Sequence, residues 1–314
     1  MSPPPTKRQR PDDAPAPTSI THSERLWFAD GNVVLQAGNT QFRVHWGVLA
    51  LHSSVFRGMQ GLPQPPEQPS VDGCPVVELS DGTDDVECLL KALYIPQKTL
   101  PLAAVGALIR LGRKYDVKDL LDSAVARIGA RFPTSLSKYD ASYIWDTIEW
   151  YKGIELDAVT LLSENGIFTA LPSAYYRAVD GEFLGNLLDG IPKDDGTRAT
   201  LLQADLRRCA VGQQRIFLKQ FEPGYTFGWA RKWDFDDCPS SAVCRASRGQ
   251  ILNSYMEAFD TWALVEPRPF SEYNLCAACS QHAKESMTAG RKKFWQELPE
   301  IFDLPAWNEL KNDL

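Results

Sequence analysis

Seven cysteines are spread over 314 residues, and four of them fall into two close pairs in the C-terminal part of the chain. Cys276 and Cys279 are separated by two residues, with His282 three further on, and Cys238 and Cys244 are separated by five. A Cys-x-x-Cys pair lets two thiolates face one ion at about 2.3 Å, and a second pair from a distant segment would complete a tetrahedral set. The spacing predicts one structural zinc, held by Cys238, Cys244, Cys276 and Cys279 with His282 as a substitute ligand, and without an open coordination position for catalysis. Because the Cys238 to Cys244 gap is wider than a usual zinc knuckle, buried core thiols are the alternative. A redox role for Cys276-Ala277-Ala278-Cys279 is disfavoured, since no thioredoxin-like βαβ pattern surrounds the pair.

Other chemistry is sparse. Asp30 and His45 offer a carboxylate and an imidazole, but the sequence contains no G-x-S-x-G elbow, no H-E-x-x-H, no G-x-G-x-x-G and no P-loop, so neither hydrolysis nor phosphate binding has a scaffold. Asp30 is expected to order a turn and His45 a strand-to-helix junction, through backbone hydrogen bonds. An enzyme is not expected. Tyr225, Phe227 and Trp229 alternate, with Trp233 following Arg231-Lys232, a pattern suited to a β-hairpin. Such aromatics beside cations could stack on single-stranded nucleic acid, although aromatic strand residues more often pack into a core.

The totals narrow the partners. A hydrophobic fraction of 44% suits a globular chain, and a net charge of -7 offers nucleic acid no attractive field. No run approaches the roughly 20 apolar residues that span a bilayer, and no signal-peptide core is expected. The cysteines are accordingly expected to be reduced, in nucleus or cytoplasm. Residues 1–22 read as a disordered tail rich in proline, within which Lys7, Arg8 and Arg10 form a short basic cluster suited to a nuclear localisation signal.

The elements that position these groups follow from periodicity. Val33 to Gln36 and Gln41 to His45 flank Gly38-Asn39, a hairpin, and Val76 to Leu79 is a third strand. Val48, Leu49 and Leu51 form an apolar helical run, and Ser53 or Ser54 can cap a second short helix carrying Phe56 and Met59. The prolines from Pro63 to Pro69 make an exposed loop. Asp81 or Thr83 can cap a helix with Val86, Leu89, Leu90, Leu93 and Tyr94 on one face. Further stripes run from Leu102 to Tyr115 and, capped by Asp116, from Val117 to Ile128. Residues 23–131 thus make an α+β unit of three short strands and interleaved helix pairs. From 135 to about 210 the pattern is wholly helical, including Tyr143, Ile144, Ile148 and Tyr151, with Gly153, Gly166, Gly181, Gly185 and Gly190 as helix C-caps. The ending, WQELPEIFDLPAWNEL, must bury its aromatics.

The run F-x-V-H-x-x-V-L-A-x-x-S-x-x-F from Phe42 to Phe56, preceded by Asp30-Gly31-Asn32-Val33, resembles the BTB/POZ domain, and closely the versions in large fungal families. The resemblance makes Asp30, Phe42, His45, Leu49 and Phe56 structural positions of an interaction module. It also implies a helical extension at 132–215, ahead of an aromatic and cysteine-rich region at 216–314. Non-enzymatic binding of protein partners through the BTB domain is the expected function. The alternatives it carries are a substrate adaptor of a cullin-type ubiquitin ligase, or a transcription regulator, to which Arg291-Lys292-Lys293 would contribute. Many BTB dimers exchange a long N-terminal helix, but between Pro17 and Asp30 only Ile20, Leu26, Trp27 and Phe28 are large and apolar. An exchanged-helix dimer is therefore not expected.

Overall fold

A two-residue turn at Gly38-Asn39 joins β2 (Val33–Ala37) to β3 (Thr40–Val44), which pair antiparallel with Leu35 opposite Phe42. Val33, Val34, Leu35, Phe42 and Val44 are all inaccessible to solvent. Adjacent residues on one strand face opposite sides of a sheet, so Val33 and Val34 show that both faces are covered here. The computed structural model describes residues 19–61, 68–141, 147–231, 235–257, 261–267, 270 and 272–314. It divides into two units, Met1–Gln97 with Leu111–Leu120, and Lys98–Arg110 with Leu121–Leu314.

In the first unit the sheet has five strands where periodicity predicts three, with β1 (Thr21–Trp27), β4 (Ser70–Val71) and β5 (Cys74–Leu79) joining the hairpin in the order β1-β3-β2-β5-β4. β1 runs parallel to β3 and begins inside the expected tail; its pattern is masked because only Ser23 and Leu26 are buried. β4 folds back onto β5 through Asp72 and Gly73, at φ 50° and 76°. That left-handed pair is the Asp-Gly signature of a tight hairpin turn.

Two short helices follow β3, α1 (Trp46–His52) and α2 (Ser54–Gln60). Ser53 caps α2 as expected, its hydroxyl accepting the Phe56 N–H at 3.0 Å and donating to the Tyr115 carbonyl at 2.5 Å. Ser54 instead donates to the Asp116 carboxylate, and Phe56 stacks on Tyr115 at 4.7 Å. In α3 (Thr83–Tyr94) neither expected cap acts. The N-cap is Gly82; Thr83 donates to the Ala37 carbonyl at 2.9 Å, and Asp81 is held by Tyr115 and by Lys114 at 2.7 Å. Long-range hydrogen bonds took both candidates. α4 (Leu102–Lys114) and α5 (Lys118–Arg131) follow, with Asp116 at φ 52° between them.

The second unit is mostly helical: α6 (Leu136–Ala141), α7 (Ile154–Glu164), α8 (Leu171–Val179), α9 (Leu184–Asp189) and α10 (Gln203–Lys219). The wholly helical expectation fails at β6 (Ile191–Pro192) and β7 (Arg198–Ala199), an antiparallel pair too short to leave a period in the sequence. Gly153 is the N-cap of α7 and not a C-cap. It has φ 89°, and a Cβ there would lie 2.8 Å from Ala199. Gly185 lies within α9, whereas Gly190 caps its end. Tyr143 and Ile144 fall outside the described residues.

The hairpin predicted around Tyr225 to Trp229 is replaced by turns and a short 3-10 helix at Gly228–Arg231. The reason is close backbone packing. A Cβ at Gly290, on α12 (Ala277–Ile301), would strike the backbone of Tyr225 and Thr226, so the segment is pressed flat against that helix. The aromatics are core all the same: Phe227 and Trp229 pack with Ile251 and Tyr255 of α11 (Ser241–Glu257) and Met287 of α12. Lys232 and Trp233 lie outside the described residues. The ending buries as expected, with Trp295, Leu298, Ile301 and Phe302 enclosed and Trp307 stacked on Trp295 at 5.4 Å. Among the described residues, no helix is long and apolar enough to cross a membrane.

Candidate metal centre

Two helix starts bring the four C-terminal cysteines together. Cys276 is the N-cap of α12, and its sulfur accepts the Cys279 N–H at 3.4 Å, so one turn of helix presents Cys276 and Cys279 side by side. Cys244 lies in the first turn of α11 and accepts the Cys276 N–H at 3.2 Å, while Cys238 occupies the turn before that helix. The four sulfurs all lie within 4.8 Å of one another, and the Cys238 and Cys276 sulfurs are 3.8 Å apart.

The spacing identifies what the group can hold. Four sulfurs at about 2.3 Å from a zinc ion sit roughly 3.8 Å from each other at the corners of a tetrahedron, whereas a disulfide needs about 2.05 Å. All four cysteines are free. Cys244 and Cys279 are fully buried, Cys238 and Cys276 half-buried. The Cys279 N–H holds the Cys276 thiol down to about 7, and burial pushes Cys244 and Cys279 up. A thiolate stabilised by helix-start N–H groups is a ready metal ligand. The donor set fits zinc.

His282 stands outside this group. Its Nε2 lies 2.8 Å from the Asp237 carboxylate, and its ring stacks on Phe235 at 4.3 Å. Arg248 was not singled out by sequence, although it lies four residues after Cys244 and so on the same helix face; its Nη1 donates to the Cys279 sulfur at 3.8 Å.

Asp30 and His45 do meet, with Nε2 3.2 Å from the carboxylate. A backbone N–H, then the imidazole, holds the Asp30 carboxyl below its usual range. His45 is the N-cap residue of α1, and the Tyr94 hydroxyl accepts its backbone N–H at 3.0 Å. The side chain of Asn32 accepts the Trp46 N–H at 2.8 Å. The arrangement pins the junction between β3 and α1. Phe42, Leu49 and Phe56 are core. A nucleic-acid stacking platform is not available from Tyr225, Phe227 and Trp229, each buried, and Arg291 is committed to Asp140 at 2.6 Å and to the Leu264 carbonyl at 2.8 Å. Lys7, Arg8 and Arg10 lie outside the described residues.

Residues 28–128 match the BTB/POZ domain model, so the chain carries a BTB/POZ domain, a protein-interaction module, over about a third of its length. Asp30, Phe42, His45, Leu49 and Phe56 all fall within it. No curated protein matches the chain.

Proposed function

We propose that this chain is a non-enzymatic interaction protein whose BTB/POZ domain engages protein partners and whose C-terminal region is stapled by one structural zinc at Cys238, Cys244, Cys276 and Cys279. The BTB match at 28–128 carries the first half of this reading, and the 3.8 Å sulfur spacing supports the second. Membership of the large fungal BTB families rests on the Phe42 to Phe56 run and its lead-in. Nuclear or cytoplasmic residence rests on the lack of a long apolar run in the sequence, and a nuclear signal on the Lys7, Arg8 and Arg10 cluster, which alanine replacement in a fluorescent fusion tests directly. An unchanged distribution would remove the signal.

Affinity purification of the full chain from its native cell, with mass spectrometry, tests the binding role. Recovered cullin scaffolds would favour the adaptor reading and chromatin proteins the regulator reading. Partners that persist after residues 28–128 are deleted would contradict a BTB-centred function. For self-association we propose that helix exchange is absent and nucleic acid is not a partner. The strand conformation of Thr21–Trp27, where an exchanged helix would have to lie, supports the first. Light scattering across a hundredfold concentration range checks it; a dimer that persists on dilution and is lost when residues 1–29 are removed is the opposing result.

A further inference from the structure

Four thiolates around a divalent zinc leave the centre with two net negative charges, and half of this centre is sealed from water. Cys244 and Cys279 are both 0% exposed. An excess of charge in such a place is costly unless an opposite charge is built beside it. Arg248 supplies that charge. Its side chain is 1% exposed, and its guanidinium points Nη1 at the Cys279 sulfur 3.8 Å away and lies 5.4 Å over the Phe235 ring. Phe235 packs on the same two buried cysteines.

The two halves of the centre differ in how their sulfurs are satisfied. The Cys276 sulfur accepts the Cys279 N–H and is half-buried beside Cys238. Cys279, deeper, is served by the guanidinium. Resting on the zinc reading above, we propose that Arg248 is a positioning and charge-neutralising residue of a zinc-tetrathiolate centre, acting through the Cys279 sulfur. Outer-shell partners of this kind typically change metal affinity about 10- to 100-fold.

The test measures zinc affinity of the full chain by competition with a chromophoric chelator, for the wild type, Arg248→Met and Arg248→Lys. Wild type is expected to bind one zinc, Arg248→Met to bind it about 10- to 100-fold more weakly, and Arg248→Lys to recover most of that loss because the charge returns. In a Cys279→Ser background, Arg248→Met should cost no more than about twofold, since the sulfur it acts on is gone. Wild-type binding with Arg248→Met affinity unchanged within twofold would overturn the proposal and leave the zinc reading standing. A wild type that binds no zinc would instead remove both. If Arg248→Met does not fold, Arg248→Gln against Arg248→Lys separates charge from packing, and equal affinities for those two would overturn the proposal.

Discussion

The β2-β3 hairpin and the four-cysteine centre both bury side chains, but they are specified at opposite ranges. In the hairpin the paired residues Ala37 and Thr40 are separated only by Gly38-Asn39, and the apolar residues of β2 and β3 need only the strand period to find their places. At the centre, Cys238 and Cys276 are 38 residues apart in sequence and meet only after α11 has formed and the chain has returned to start α12. Closing such a loop costs entropy that no local period repays. A bound ion supplies binding free energy that is spent on folding, so the centre is where metal and stability are linked.

The largest expected effect breaks the centre and spares the hairpin. Cys276→Ser, or chelation of the wild type, should destabilise the second unit by more than about 3 kcal/mol, a fall of about 10 °C in melting temperature at roughly 2–4 °C per kcal/mol. Hydrogen exchange should accelerate in Ser241–Glu257 and the first turns of α12 and remain unchanged in Val33–Val44. Uniform acceleration would show that the two regions do not differ as described.

Core truncation sharpens the comparison. Phe42→Ala and Phe294→Ala each empty a site that is 0% exposed and should each cost about 3–5 kcal/mol by chemical denaturation. Only the Phe294→Ala cost is expected to change when zinc is chelated.

What the sequence reveals follows the same division. The Gly38-Asn39 hairpin, the Ser53 cap and the Val86, Leu89 and Leu90 part of the α3 stripe are local patterns and are found where they were expected, while Leu93 and Tyr94 are only half-buried. So is the cysteine quartet, because a Cys-x-x-Cys pair advertises itself. β1 escapes notice because an edge strand with two buried residues has no clear period, and β4 because a two-residue strand has none. The hairpin expected at Tyr225 fails because a distant glycine, Gly290, decides how that segment lies. Thr83 and Asp81 are plausible caps by sequence, yet the Ala37 carbonyl and the Tyr115 hydroxyl claim them. His282 suits a ligand by spacing alone, and Asp237 and Phe235 hold it elsewhere.

Smaller effects probe single contacts. Arg291 is 6% exposed and its guanidinium holds Asp140 at 2.6 Å; Arg291→Met strands a partly buried carboxylate and should cost about 2–4 kcal/mol in urea unfolding. In the first unit, Ser53→Ala removes the α2 cap and the bond to the Tyr115 carbonyl, with an expected cost of about 1–2 kcal/mol by the same assay.

The contrast between the two regions turns on whether an ion closes the thiol centre. Elemental analysis of the full chain purified without chelator measures that directly. The account predicts about one zinc per chain, falling to near zero in Cys276→Ser; a value near zero in the wild type would contradict it.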